Sequence, residues 1–340
     1  MLDMRIILDG MGGDNAPSEI VKGALQAAEL IDHQIVIVGK KDLIDAELKK
    51  YTYNENQIIV EHAEEVILTE EAPVKAVRTK KDSSLVRGIT MVKEGEGDIF
   101  ISAGNSGALM AGGLFILGRI QGIDRPALAC CYPILGKGVS LLVDAGANSE
   151  TKPDNLLEFA TMGSIYMEKV LGVKNPTVGL VNNGAEETKG TTVTKAAHKI
   201  LKKSHLNFIG NVEARDVPLG ASDVVVCDGF VGNVILKLTE GMGLSVINLL
   251  KEKLTSGIMA KIGAAFLYGK LKELKSQFDY SEYGGAPILG VKGAIVKMHG
   301  SSNANAVKNT ILKGIPYAEE KVVQIISDSV LELEEIRTGE

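Results

Sequence analysis

The sequence predicts an α/β protein: a three-layer αβα sandwich on a mostly parallel sheet. Short, continuously apolar runs alternate along the 340 residues with longer segments of helical period. The runs are too apolar for a sheet with one wet face, which indicates strands covered on both sides. Hydrophobic residues make up 45% of the chain, enough to fill a large core.

The individual elements follow from this alternation. Strands are expected at residues 5–9, 34–39, 58–60, 98–102, 139–144, 177–181 and 224–227, and helices at 18–30, 42–50, 73–78 and 83–94. No repeat or linker interrupts them. We therefore expect residues 1–334 to form a single unit, with two lobes sharing one sheet and a helical excursion near 249–278. Residues 335–340 are expected to be a flexible tail.

Composition excludes several classes of protein. The formal net charge of −6 argues against nucleic acid as a partner, because such proteins present a basic surface. No uninterrupted apolar run is long enough to cross a membrane, and the first residues lack a signal-peptide pattern. A cytoplasmic protein is the expectation.

The cysteines and histidines predict no metal site and no cofactor. Cys130, Cys131 and Cys227 have no metal-ligand spacing and indicate buried packing, with a catalytic thiol as the alternative. The five histidines likewise lack the spacing of metal ligands.

Four strand ends lead into loops rich in glycine and asparagine, at 9–15, 102–107, 182–186 and 228–233. Ligands of α/β sheets bind beyond the carboxyl ends of strands, so these loops predict a shared polar cleft. The run 101–108 is typical of a loop and helix N-terminus whose N–H groups bind an anion, or is an ordinary strand-to-helix turn. Neither GxxxxGK[ST] nor GxGxxG occurs, which disfavours ATP and dinucleotides. The candidate anion-binding residues are Gly12, Gly13, Ser102, Gly104, Ser106 and Gly107, with Asn105 beside them.

Three further side chains are candidates for chemistry. Lys189, next to a glycine, is suited to bind phosphate or protonate a leaving group, or is a solvated lysine. Asn233 lies where a helix would begin, either as its N-cap or as an amide facing a ligand. His299 precedes small residues and suits proton transfer near neutral pH, with a structural histidine as the alternative.

A basic stretch formed by Lys75, Arg78, Lys80 and Lys81 indicates a docking site for an acidic partner, or the solvated end of a helix. The segment 249–278 repeats apolar residues at helical spacing and carries six lysines against two acids between residues 250 and 277. It is suited to an anionic membrane surface or a subunit interface, or is a core helix. Its candidate contact residues are Leu254, Ile258, Ile262 and Phe266.

Taken in order, the motifs resemble the phosphate acyltransferase family of bacterial phospholipid synthesis. The matching strings span nearly the whole chain and lie at 9–17, 76–84, 101–110, 118–129, 210–216, 228–234 and 299–302. Two positions depart from the usual pattern: Gly10 replaces alanine and Ser106 replaces threonine. Both changes keep a small or hydroxyl side chain.

The resemblance implies transfer of a long-chain fatty acyl group from acyl carrier protein to inorganic phosphate, without a cofactor. It also implies a homodimer similar in fold to isocitrate and isopropylmalate dehydrogenases. The acyl phosphate product would pass to a downstream membrane acyltransferase after transient contact with the inner face of the membrane. Lys189 and Asn233 would orient the reacting groups, Asn105 would hold phosphate or the oxyanion, and His299 or Lys189 would protonate the thiolate. A short-chain phosphotransacetylase acting on acyl coenzyme A, and a non-catalytic carrier-protein or membrane adaptor, remain open.

Overall fold

The computed structural model describes residues 4–136, 138–257 and 284–329, and also Met259, Gly263, Phe266, Leu267 and Gly269. The strands are β1 (Arg5–Asp9), β2 (Gln34–Gly39), β3 (Ile58–His62), β4 (Ile99–Ser102), β5 (Ala127–Pro133), β6 (Val139–Val143), β7 (Thr177–Asn182), β8 (Asn207–Glu213), β9 (Val224–Val226), β10 (Ala286–Leu289) and β11 (Ala294–Lys297). The helices are α1 (Ser18–Ala28), α2 (Lys41–Leu48), α3 (Pro73–Thr79), α4 (Ser84–Lys93), α5 (Ser106–Gly112), α6 (Pro153–Lys169), α7 (Thr192–Lys203), α8 (Gly229–Thr255) and α9 (Ala304–Glu319). A π-helical turn (Gly113–Leu117) continues α5.

In the described part of the chain, eleven strands form one sheet in the order β3-β2-β1-β4-β11-β10-β5-β6-β9-β7-β8. Seven of the ten pairings are parallel, which confirms the predicted sheet class. The three antiparallel pairings join β11, β10, β5 and β6 at the centre. The parallel strands on the two flanks therefore run in opposite directions.

The core differs between the two faces of the sheet. On the face covered by α1, α2, α6, α7 and α9, one apolar cluster runs from Leu8 to Leu180 without a break. On the other face the core is divided. One cluster packs α3, α4 and α5 around Phe100, and a second packs the start of α8 around Leu142. Leu128 of β5 contacts both clusters, so the gap between them lies over the β5–β10 pair.

Helix α8 is the least buried long element. It is long and apolar enough to cross a membrane, although its apolar residues do not form an uninterrupted run. Only 17% of its apolar 18-residue stretch is buried in the protein. Its exposed apolar residues include Leu238, Met242, Val246 and Leu249. This apolar side begins before the predicted excursion at 249–278, because Leu238 is already 64% exposed.

Two of the four predicted contact residues of that excursion fall outside the described residues. Leu254 lies on α8 and is partly exposed, and Phe266 is 87% exposed. Ile258 and Ile262 lie outside the described residues, as does the predicted tail at 335–340.

Candidate active site

A cavity of about 270 Å³ lies in the gap between the two clusters. Its walls come from the N-terminus of α5, from β5 and β10, from the loop after β6, from the first turns of α8, and from the end of β11. Its lining includes Ser106, Leu128, Cys130, Cys131, Gly146, Asn233, Lys237, Glu240, Lys297, His299 and Ser302. Two of the four predicted strand-end loops, those at 102–107 and 228–233, thus meet at this cavity, and the loops at 9–15 and 182–186 do not line it.

Hydrogen bonds hold the loop after β1 against the loop after β4. The buried Asp9 carboxylate accepts a 2.6 Å hydrogen bond from Ser102 Oγ, and Ser102 Oγ accepts one of 2.9 Å from the Gly104 N–H. A Cβ atom at Gly12 would lie 2.7 Å from the backbone nitrogen of Gly104 in the other loop, so the loops approach this closely only with glycine there. Burial raises the pKa of Asp9, and the hydrogen bond from Ser102 opposes this effect. Ser102 and the Gly104 N–H are therefore part of the loop framework, and their predicted contact with phosphate stays a prediction.

Gly13 joins the same framework to the loop after β11. Its φ is +96°, and the N–H of the next residue, Asp14, donates a 2.8 Å hydrogen bond to Gly300 O. This bond fixes the first strand-end loop beside the segment that carries His299.

Asn105 caps α5 and ties it to the chain before α3. Its Oδ1 accepts a 3.0 Å hydrogen bond from the Ala108 N–H, the arrangement of an N-cap. Its Nδ2 lies 3.0 to 3.2 Å from three carbonyl oxygens, those of Leu68, Thr69 and Glu71. Both ends of the amide thus hold the loop in place, and its predicted catalytic role stays a prediction. The neighbouring Ser106 is exposed and lines the cavity.

Lys297 is the central cation of the site. It ends β11, beside Ser102 of β4, and its Nζ donates to Met298 O and, at 3.5 Å, to Ala103 O. Burial lowers the Lys297 pKa to about 8; Asp9 and Asp14 oppose the decrease, and Lys237 adds to it. A partly dehydrated ammonium group among strand-end loops is suited to bind an anion.

His299 lies two residues beyond Lys297. Its Nδ1 is 3.2 Å from the Ser301 N–H, which donates to it, and 2.8 Å from Ser301 Oγ. Burial lowers the His299 pKa, and Lys237 and Lys297 lower it further, against the opposite effect of Glu240. The ring is therefore neutral at pH 7, with the proton on Nε2, because Nδ1 accepts from Ser301.

The first turn of α8 packs on the loop after β6, which Asp144 organises. Its buried carboxylate accepts hydrogen bonds from the backbone N–H groups of Leu128, Gly146, Ala147 and Asn148. A Cβ atom at Gly232 would lie 1.9 Å from Asp144 O, so α8 approaches this loop backbone to backbone. Asp144 therefore acts as a scaffold for this loop.

Asn233 lies one turn inside α8. The expectation that it caps the helix is wrong, because Asp228 Oδ1 accepts the 2.8 Å hydrogen bond from Val231 N. Asn233 is instead exposed at the cavity, facing Gly146. Lys237 and Glu240 follow on the same side of the helix, with 3.6 Å between Nζ and Oε2.

The cysteines at the cavity are protonated thiols. Burial raises the Cys130 pKa to about 12 and the Cys131 pKa to about 11. Because the thiolate is the nucleophile, neither side chain suits covalent catalysis at neutral pH. Among the described residues, no three His, Cys, Asp or Glu side chains group together as metal ligands would.

Lys189 lies apart from the cavity lining. It is exposed in the loop between β7 and α7, and its backbone N–H donates a 3.0 Å hydrogen bond to Glu186 O. Its predicted role in catalysis stays a prediction.

The basic stretch lies on and after α3, and its four cations differ. Lys80 donates a 2.6 Å hydrogen bond to Glu71 Oε1 and lowers the Glu71 pKa. Arg78 stacks over the Phe115 ring at 5.2 Å. Lys75 and Lys81 are exposed.

Sequence reasoning missed Lys297 and Lys237, the two lysines that line the cavity. The signal for Lys297 was a cation directly ending the apolar run 294–296, where a buried strand reaches the predicted cleft. Lys237 had a weaker signal, one helical turn after Asn233.

Comparison with known proteins agrees with the resemblance seen in the motifs. A family model described as fatty acid synthesis protein matches residues 4–325. A phosphate acyltransferase from Alkaliphilus oremlandii is 54% identical over 97% of this chain and 98% of its own, and one from Clostridium acetobutylicum is 53% identical over 97% and 100%.

Solved structures share the fold at low sequence identity. A phosphotransacetylase from Streptococcus pyogenes superposes with a TM-score of 0.63 at 14% identity, over 94% of each chain. A 4-hydroxythreonine-4-phosphate dehydrogenase from Klebsiella pneumoniae gives 0.52 at 12%, over 93% of this chain and 100% of that one. The likeness to these structures shows the α/β sandwich fold. The relatives and the family model show the family to which the chain belongs. The chain therefore belongs to the fatty acid synthesis protein family and, within it, to the phosphate acyltransferases.

Proposed function

We propose that this chain transfers a long-chain fatty acyl group from acyl carrier protein to inorganic phosphate in the cavity beside Lys297. The observation that carries the proposal is the pair of lysines, Lys297 and Lys237, at a cavity where strand-end loops converge. Lys297, with the N-terminus of α5 beside it, favours a small anion such as phosphate, and Lys237 adds a charge that Glu240, 3.6 Å away, partly offsets. The activity itself agrees with the family to which the chain belongs.

The reaction needs no nucleophile from the protein. A phosphate oxygen attacks the thioester carbonyl carbon, a C–O bond forms, the C–S bond breaks, and sulfur leaves as a thiolate that takes a proton. Holding phosphate against the carbonyl lowers the entropic part of the barrier, and Lys297 offsets the charge that develops. Asn233 faces the same space and is suited to orient phosphate or the carbonyl oxygen.

Lys297 is the better acid for the departing thiolate. With a pKa of about 8, Lys297 is mostly charged at pH 7, and its pKa is close to the ordinary thiol pKa of about 8.5, so it can give its proton to the thiolate. His299 is the predicted alternative, but its lowered pKa leaves little imidazolium at pH 7. Its neutral ring is suited to donate a hydrogen bond to phosphate.

The experiment is release of free carrier thiol from palmitoyl carrier protein, with and without phosphate, in metal-free buffer. Phosphate-dependent release with formation of acyl phosphate supports the proposal. Turnover of acetyl coenzyme A instead would move the chain to the short-chain enzymes. No activity with either substrate would favour the hypothesis of a non-catalytic adaptor.

We assign the carrier to the exposed cations of the basic stretch, Lys75, Arg78 and Lys81, because the carrier is acidic. Lys80 contributes less, since Glu71 already neutralises it. The double variant Lys75→Glu, Arg78→Glu should raise KM for palmitoyl carrier protein while leaving turnover of palmitoyl N-acetylcysteamine unchanged. The matched control is the double variant Lys22→Glu, Lys49→Glu, which reverses two exposed lysines outside the basic stretch, and an equal KM in both double variants would remove the assignment.

The exposed apolar side of α8 supports a homodimer, with the segment beyond it touching the inner face of the membrane. Burying Leu238 and Met242 between two copies removes apolar surface from water. Leu238→Asp should then give a monomer by light scattering, and Phe266→Asp should weaken binding to anionic vesicles. A dimer in the first variant and unchanged binding in the second would contradict these two assignments. The cytoplasmic location and the delivery of acyl phosphate to a membrane acyltransferase belong to the same proposal.

A further inference from the structure

A second cavity, of about 260 Å³, adjoins the first. Ser106, Leu128, Gly146 and Lys297 line both, so the two cavities share a boundary that includes the lysine. The remaining walls of the second cavity are built from α3, from α5 with its π-helical turn, from β10 and from the loop after β6.

These walls are almost wholly apolar. They include Val74, Met110, Leu114, Phe115 and Ile288, and within the lining described here only Ser106 and Lys297 carry polar side chains. Water in such a space has few hydrogen-bond partners. An amide-bearing group would also lose bonds that it makes in water, whereas a hydrocarbon loses none. The space therefore favours an alkyl chain.

We infer that this apolar cavity holds the first carbons of the acyl chain, which places the thioester carbonyl at Lys297, between the chain and phosphate. The inference rests on the proposed function and adds to it a separate binding site for the hydrocarbon part of the substrate. Its support is the shared boundary of the two cavities and the difference between their walls: Lys237, Glu240 and His299 line the first cavity, and the second is almost wholly apolar. The first cavity, beside Lys297 and His299, receives the phosphate, and the apolar cavity receives the acyl chain.

The two ends of the apolar cavity differ. Lys297 and Gly146 lie at the inner end, next to the polar cavity. Val74 and Phe115 are 44% and 53% exposed, so the other end opens to solvent, where Arg78 covers the Phe115 ring. A chain longer than the cavity can therefore leave past Phe115. The inner carbons meet the walls of α5 first.

The test narrows the cavity and compares two chain lengths on one carrier. Met110→Trp places a larger side chain in the wall, and kcat/KM is measured for palmitoyl and acetyl carrier protein. Because an acetyl group has little chain to bury, the ratio of palmitoyl to acetyl kcat/KM should fall at least tenfold. Leu114→Trp, from the partly exposed side of the wall, is the second variant if the first unfolds, as judged by thermal melting.

The control is Leu219→Trp, which enlarges an exposed side chain away from both cavities and should leave the ratio unchanged. An equal loss for both chain lengths in Met110→Trp and Leu114→Trp would overturn the inference, because the cavity would then hold the carrier's arm. An unchanged ratio with undiminished rates would overturn it as well. Failure of the proposed function is a different result: the wild-type protein would show no phosphate-dependent thiol release.

Discussion

Replacing Lys297 with methionine should lower activity and raise stability together. Methionine keeps most of the length and volume of the side chain and removes only the ammonium group. The variant therefore tests whether the charge, rather than the packing, serves the reaction.

The loss of activity follows from the bonds that the charge makes. A hydrogen bond from a charged group contributes about 1.5–3 kcal/mol, which corresponds to a loss of about 10- to 150-fold in kcat/KM for phosphate. Loss of the acid that protonates the thiolate adds to this figure. Lys292→Met is the matched control, because Lys292 is exposed on the turn before β11 and lines neither cavity.

The gain in stability follows from the pKa. The Lys297 pKa falls from 10.5 in the unfolded chain to about 8 in the folded protein, so the unfolded chain holds the ammonium proton more tightly. At about 1.4 kcal/mol per pH unit, the difference costs the folded state about 3 kcal/mol at pH 7, and the cost disappears between pH 8 and 10.5. Lys297→Met should therefore melt a few degrees higher than wild type at pH 7, with the difference vanishing near pH 10.5.

The assay is thiol release from palmitoyl carrier protein at varied phosphate, alongside thermal melting from pH 7 to 10.5. In the wild type, kcat/KM should fall as pH rises above about 8, because Lys297 loses its proton there. Lys297→Arg stays charged and should recover KM for phosphate more than kcat, since arginine is a poor proton donor. Lys297→Met with activity within twofold of wild type, or with a lower melting temperature at pH 7, would refute the reasoning.

Three further outcomes follow from the site. Gly12→Ala should lose most activity and several degrees of Tm, because its Cβ would lie 2.7 Å from Gly104 N in the other loop and 2.5 Å from Asp9 Oδ2. Turnover and thermal melting measure the two losses, and an unaffected variant would contradict the close contact between the loops. Cys130→Ser should keep at least half of wild-type turnover, since a thiol with a pKa of about 12 is no nucleophile; an inactive but folded variant would contradict this. Asn233→Ala should reduce kcat more than tenfold without lowering Tm, because Asn233 is exposed at the cavity; normal turnover in this variant would remove the role of Asn233. Lys189→Ala, measured in the same assay, decides whether that distant lysine takes part.

Buried strands were the most predictable part of the fold. The predictions at 5–9 and 34–39 coincide with β1 and β2, because the interior of each run is apolar and both faces of the sheet are covered. The antiparallel centre was not predicted. β10 has four residues and includes Pro287, and its strand conformation depends on pairing with β5 and β11 rather than on its own composition.

The site was predictable as a place but not as a set of contacts. Strand-end loops indicated an anion-binding cleft, and two of them meet at the cavity. The long-range hydrogen bonds of Ser102 and Asn105 are invisible in the sequence, because these partners are 93 residues away for Ser102 and 34–37 away for Asn105. Lys297 was missed for the same reason: a lysine becomes partly dehydrated only where separate loops close around it.

The central claim is that phosphate attacks the thioester directly, with no acyl-enzyme. Rapid-quench measurement of free carrier thiol, with wild-type protein in excess phosphate and in none, tests it most directly. Direct attack predicts no burst of thiol without phosphate and prompt release with it. A phosphate-independent burst approaching one thiol per chain would reveal an acyl group on the protein and contradict the account.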